Sequence, residues 1–196
     1  MILLLIKHAA PTRDRSTSAC RWTLSDQGRK ACRPLARRIA AYAPAHLVSS
    51  AEAKAIETAR LLAGELGIGC ESRQGLHEHC RTTVPLFDSH AEFHRHVREL
   101  FHKPDQLIFG EETASAARQR FSAAVEQTIT GWQHPGPVVI VAHGTVISLL
   151  AGTWCKRDPY DLWTQLGLPS YLVISLDDVH DDRRLVDIVP SVTAGQ

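Results

Sequence analysis

Two uninterrupted apolar runs, far apart in the chain, constrain this sequence more than any other feature. Ile2, Leu3, Leu4, Leu5 and Ile6 form the first, closed by Lys7, His8, Ala9, Ala10 and Pro11. Val138, Val139, Ile140, Val141 and Ala142 form the second, closed by His143, Gly144 and Thr145. An apolar run of about five residues bounded by turn residues is a strand buried on both faces, the kind found in parallel sheets. In open α/β sheets, ligands bind outside the carboxyl ends of such strands. Parallel strands that each end in a histidine therefore predict His8 and His143 in one crevice, with Lys7 beside them. Such a pair can be a metal site, an acid–base pair, or a nucleophile with a partner.

Between and around these strands the chain alternates in type. Residues 12–23 are polar and read as a loop over the first strand end. Ser25 or Asp26 caps a helix carried by Ala31, Leu35, Ile39 and Tyr42, with Pro34 predicting a kink or a later start. A strand over 46–50 leads into a helix over 51–66, with Ala55, Ala59, Leu62 and Leu66 on one stripe and glycines closing it. A weaker strand covers 70–76. From 77 to 109 the chain holds six histidines together with Pro85 and Pro104, and a helix over 89–101 reads as an insertion lying over something rather than as a core layer. A long helix follows Gly110-Glu111-Glu112-Thr113 to about residue 132. After the second apolar run come a helix over 146–154 and strands over 171–176 and 185–189, the last an edge. This alternation predicts an α/β fold with a largely parallel sheet.

Composition narrows the function. At 196 residues with 44% hydrophobic and 22% charged residues, the chain suits one soluble domain. A formal charge of +1 gives no footprint for nucleic acid or an anionic membrane. The basic run Arg29, Lys30, Arg33, Arg37 and Arg38 reads as the solvated face of its helix. The five cysteines are scattered without a CxxC pair, as suits a reducing cytosol. The first apolar run is too short for a membrane span and lacks a basic region before it, so a cytoplasmic protein without a signal peptide is expected.

Two further segments select among the chemistries open to a histidine pair. In Ser49-Ser50-Ala51-Glu52-Ala53-Lys54 a strand ends in serines and a helix opens with a lysine that can point back to the crevice. In Leu76-His77-Glu78-His79 a carboxylate follows a strand. Two histidines, two cations and a carboxylate at strand ends suit an anionic substrate. Cations neutralise a phosphate, a neutral histidine attacks it, and a carboxylic acid protonates the leaving oxygen.

These segments resemble the histidine phosphatases, the superfamily that includes the cofactor-dependent phosphoglycerate mutases. Leu5-Ile6-Lys7-His8-Ala9 is similar to their Arg-His-Gly strand end, and residues 49–59 to their Ser-Ser-x-x-x-Arg-Ala-x-x-Thr-Ala segment. Leu76-His77-Glu78, Val141-Ala142-His143-Gly144, Leu24-Ser25-Asp26-Gln27-Gly28 and Gly110-Glu111 match further family positions, in the family's order, from Leu5 to about Tyr171. The resemblance implies a three-layer α/β/α sandwich around a mostly parallel sheet, as one domain over 1–196, with a helical insertion at about 79–109 covering the site. It implies His8 as nucleophile, Glu78 as proton donor and then base, and His143 as donor to a phosphate oxygen. It places Lys7 and Lys54 where the family has phosphate-clamping arginines, and requires no metal or organic cofactor. The expected substrate is a small to medium phosphomonoester or a phosphoprotein.

The departures from the family pattern bear on activity. Arginine grips two phosphate oxygens with a planar fork, whereas lysine is a point charge. If one such change cost ~2 kcal/mol of transition-state binding, the rate would fall roughly thirtyfold. Charge is nevertheless kept at both positions, which favours a working site over a catalytically weakened phosphate-binding module on the same fold. A mutase is disfavoured by the short segment between Glu78 and Gly110. Glu71, Glu111 and Glu112 are alternatives to Glu78. Arg13, Arg15, Arg81, Phe87 and Phe93 are expected to wall the site. His90 and His94, four apart on a helix, have a spacing that can hold zinc or nickel, although no carboxylate or cysteine completes the set at an obvious spacing.

Overall fold

The first apolar run occupies the interior of the sheet. In the computed structural model, which describes residues 1–84, 87–177 and 182–191, β1 (Ile2–Lys7) pairs in parallel with β4 (Val138–Ala142) and antiparallel with β5 (Ser170–Asp177). The remaining strands are β2 (His46–Ser50), β3 (Gly69–Arg73) and β6 (Asp182–Val189), and the order across the sheet is β3-β2-β4-β1-β5-β6. The pairs β1–β4, β4–β2 and β2–β3 are parallel, and β6 is the antiparallel edge.

Both faces of β1 and β4 are covered, which explains why their sequences do not alternate. Leu3, Leu5, Ile140, Ala142, Leu172 and Ile174 face one layer, formed by α3 (His90–His102), α4 (Ala114–Thr130), α5 (Gly144–Trp154) and α6 (Pro159–Gln165). Leu4, Ile6, Val139, Val141, Tyr171 and Val173 face the other, formed by α1 (Asp26–Ile39) and α2 (Ala53–Leu66). Two apolar layers against one sheet make the three-layer α/β/α sandwich. The chain steps outward from β1 to β2 and β3, then returns to insert β4 between β2 and β1. That reversal brings the carboxyl ends of β1, β4 and β2 side by side.

Several elements differ from the sequence reading. The helix α1 starts at Asp26 with Ser25 as its cap, the Gly28 N–H donating to Ser25 Oγ at 3.1 Å, and continues through Pro34 rather than beginning after it. The strand β3 ends at Arg73, ahead of Gly75, whose φ of +83° takes the backbone into the left-handed region. The helix α6 was not foreseen. It is seven residues long and buries only Leu162 and Trp163, too few apolar positions to display a period. The helix α3 is not a mere cover, because Val97, Leu100 and Phe101 join the buried core. Pro85, counted in that segment, lies outside the described residues. Among those described, no helix is long and apolar enough to cross a membrane.

One close approach fixes how α1 meets the β1 loop. A Cβ at Gly28 would lie 2.2 Å from the Ala10 carbonyl oxygen, whereas one at Gly64 on α2 would meet nothing within 4 Å. Alanine is the better helix former at both positions. We expect Gly64→Ala to raise unfolding free energy by up to about 1 kcal/mol, and Gly28→Ala to lower it by about 2 kcal/mol through the forced backbone shift. Urea unfolding of the two variants checks both signs.

Candidate active site

His8 follows β1 and His143 follows β4, and the His8 N–H donates to the Ala142 carbonyl at 3.0 Å, extending the strand ladder into the site. The two imidazoles meet edge to face with ring centroids 5.1 Å apart. Burial, then His143 and Lys54, hold the His8 pKa well below the ordinary histidine value. A neutral ring results. Its Nδ1 lies 2.8 Å from the Ala9 carbonyl, which accepts only a proton-bearing nitrogen, so Nε2 keeps its lone pair.

His143 is fully buried, and burial, then Lys54 and His77, also push its pKa well down. Its ring is held by Ser50 at the end of β2. Ser50 Oγ accepts the Glu52 N–H at 3.2 Å, and Ser50 Oγ lies 2.8 Å from His143 Nε2. His143 Nδ1 is buried and has no partner among the described residues. A buried ring nitrogen without a partner costs about 1–3 kcal/mol.

Lys54 lies in the first turn of α2 and Lys7 ends β1, and both ammonium groups reach the same cavity. Lys54 Nζ donates to the Ala19 carbonyl at 2.8 Å and pairs with the Glu52 carboxylate. Lys7 Nζ donates to the Leu166 carbonyl at 2.7 Å and lies 5.9 Å from the Trp163 ring centroid. Burial outweighs the pull of Glu78 and lowers the Lys7 pKa to about 8. An ammonium has three donors, so each lysine retains hydrogen-bonding capacity for a ligand.

Glu78 also lines this cavity, and among the described residues Glu71, Glu111 and Glu112 do not. Glu71 pairs with Arg73 at 2.9 Å, Glu111 accepts the Thr82 and Thr83 N–H groups at 2.8 Å, and Glu112 pairs with Arg120 at 2.6 Å. The Glu78 oxygens accept N–H groups from His79 at 2.9 Å and, in the first turn of α5, from Thr145 at 3.2 Å and Val146 at 3.3 Å. A carboxylate is favoured at a helix N-terminus. Behind it, Arg120 donates to the carbonyls of Gly75 at 2.8 Å, His77 at 2.9 Å and Glu78 at 3.1 Å, tying the loop to α4.

Glu52 is the site residue that sequence reasoning missed. Its Oε1 accepts the Glu78 N–H at 2.8 Å and lies 3.7 Å from His143 Nε2. Burial alone would raise its carboxyl pKa, but the Lys54 ammonium and the Lys54 and Glu78 hydrogen bonds win and hold it below the ordinary value. The available signal was its position two residues before Lys54, at the strand–helix junction.

The cavity measures about 930 Å³ and is walled by Arg13, Arg15, Arg81, Phe87 and Phe93. That is the upper range for a small-molecule site. Trp22, Trp163, His90 and His94 complete the wall, and the Arg81 guanidinium sits 5.0 Å from the Phe93 ring centroid. The Nε2 atoms of His90 and His94 are 3.2 Å apart, with no third metal-ligating side chain alongside them among the described residues.

Comparison with solved structures finds this fold along the whole chain. A mycobacterial glucosyl-3-phosphoglycerate phosphatase superposes with a TM-score of 0.77 at 22% identity, covering 98% of this chain and 99% of the other. Bacillus stearothermophilus YhfR superposes with a TM-score of 0.74 at 21% identity, covering 98% of each chain. A mutant phosphoserine phosphatase from Entamoeba histolytica, in complex with phosphoserine, gives a TM-score of 0.75 at 16% identity, covering 100% and 99%. No curated protein sequence matches the chain. The profile of the histidine phosphatase superfamily, branch 1, matches residues 3–188, and the chain belongs to that family.

Proposed function

We propose that this protein hydrolyses small to medium phosphomonoesters through a phosphohistidine intermediate. The observation that carries the reading is the pair of buried, neutral histidines, His8 and His143, facing each other 5.1 Å apart, with the charges of Lys54 and Lys7 both acting on His8. In the first step His8 Nε2 attacks phosphorus and the ester P–O bond breaks, with Glu78 giving its proton to the leaving alcohol. In the second, Glu78 as carboxylate takes a proton from water, whose oxygen attacks phosphorus and frees His8 and inorganic phosphate. Lys7, Lys54 and His143 hold the non-bridging oxygens while charge builds on them. Glu52 keeps Lys54 oriented and the Glu78 backbone in place.

The similar solved structures include phosphatases named for glucosyl-3-phosphoglycerate and phosphoserine, which supports a small phosphorylated substrate. Lysines in place of arginines retain charge without the bidentate fork, so selectivity is carried more by the Arg13, Arg15, Arg81, Phe87 and Phe93 wall.

An aryl phosphate assay tests this reading. Wild type is expected to turn over, and His8→Ala to lose hydrolysis entirely. Turnover surviving in His8→Ala would defeat the proposal. The pH profile is equally informative. Lys7 is charged below its pKa of about 8 and neutral above it, so kcat/KM should fall by about tenfold on the alkaline side. Lys7→Arg should remove that limb, and a limb unchanged in this variant would contradict the role of Lys7. Ser50→Ala removes the hydrogen bond that orients the His143 ring and should lower kcat about tenfold, near the value of one hydrogen bond.

A further inference from the structure

The segment carrying Glu78 is bracketed by two soft or borderline metal ligands, and a third approaches from the start of α4. We infer that His77, Cys80 and Glu112 form a binding site for a thiophilic divalent cation of the zinc class, at the wall of the catalytic cavity and distinct from the phosphate-binding groups. Their ligand atoms all lie within 4.8 Å of one another, and all three residues are half-buried. Thiolate, imidazole and carboxylate are the donors zinc selects, at about 2.0–2.3 Å each, so closing the set requires side-chain movements on the order of 1 Å.

The partners of the three ligands fit such a role. Among the described residues the His77 ring makes no hydrogen bond. Glu112 Oε1 accepts the Cys80 N–H at 2.8 Å and Arg120 Nη2 at 2.6 Å, Oε2 accepts Arg120 Nε at 3.3 Å, and the Cys80 thiol hydrogen-bonds to the same carboxylate. The carboxylate is thus anchored beside the thiol, the arrangement that orients ligands in metal sites. The Arg120 charge opposes a dication, but the carboxylates of Glu112, Glu52 and Glu78 also face His77. On binding, the Cys80 S–H bond breaks, an Sγ–metal bond forms and the proton leaves to solvent, with no change in oxidation state. His77 and Cys80 line the cavity, so the ion enters from solvent and its fourth position takes water.

The regulatory consequence rests on the phosphatase reading. An ion tied to residues 77 and 80 pins the backbone that carries Glu78 and lowers hydrolysis reversibly. The proposed hydrolysis assigns no role to this ion.

Cobalt(II) titration of the intact, chelator-stripped protein tests the site directly, because a thiolate ligand gives a near-ultraviolet charge-transfer band. The expected result is a one-to-one band, displaced by zinc, lost in Cys80→Ser and kept in Cys20→Ser, which removes the other cysteine of the cavity wall. Zinc affinity should fall at least tenfold in Cys80→Ser and in His77→Gln. Absence of the band in wild type, or its survival in Cys80→Ser, overturns the site whatever the activity. Zinc should inhibit aryl phosphate hydrolysis in wild type but not in Cys80→Ser. A site that fills without inhibition overturns the regulatory coupling alone. Failure of the hydrolysis reading leaves the cobalt result standing.

Discussion

The parallel pairing of β1 with β4 is the constraint on which the site depends. Ile6 lies opposite Val141 and Lys7 opposite Ala142, so the two strands end in register. One residue further, the His8 N–H still finds the Ala142 carbonyl, and His143 begins the turn into α5. The histidines are therefore positioned by backbone hydrogen bonds and by apolar packing on both faces of the sheet. A register slip of one residue would send every side chain of β1 to the opposite face and bury Lys7 or His8 in the wrong layer. The placement of the two histidines and the stability of the fold share this single pairing.

On that frame the electrostatics are arranged for an anion. Two imidazoles are kept neutral by burial, His8 with its proton on Nδ1 against the Ala9 carbonyl and His143 held by the Ser50 hydroxyl. Two ammonium groups act on His8, and Glu52 neutralises the more buried one, Lys54. Desolvated charges are costly without a ligand, and a phosphate dianion relieves that cost.

Much of this was legible in the sequence, for physical reasons. The fully buried strands announce themselves because β1 and β4 cannot afford polar residues on either face, and their terminal histidines stand out against that background. Glu78 was readable from its place after a strand, and the cavity wall from the arginines and aromatics of the two loops. The helix α6 was not, because seven residues with two buried side chains carry no period, yet it supplies Trp163 beside Lys7. Glu52 and Arg120 were not readable either. Their roles lie in contacts across 26 and 42 residues to the Glu78 backbone, which no local pattern records. Of the two outcomes that Pro34 allowed, a kink or a later start, the later start does not occur, because α1 begins at Asp26 and runs through it with Ala31, Leu35 and Ile39 buried.

The account turns on one covalent bond, between phosphorus and His8 Nε2. Mixing the protein with a phosphomonoester labelled in its phosphoryl group, followed by a denaturing quench and peptide mapping, reads that bond directly. The prediction is transient label on the peptide containing His8, appearing before product release and absent in His8→Ala. Steady hydrolysis with no label on His8, or label on another residue, would contradict the account.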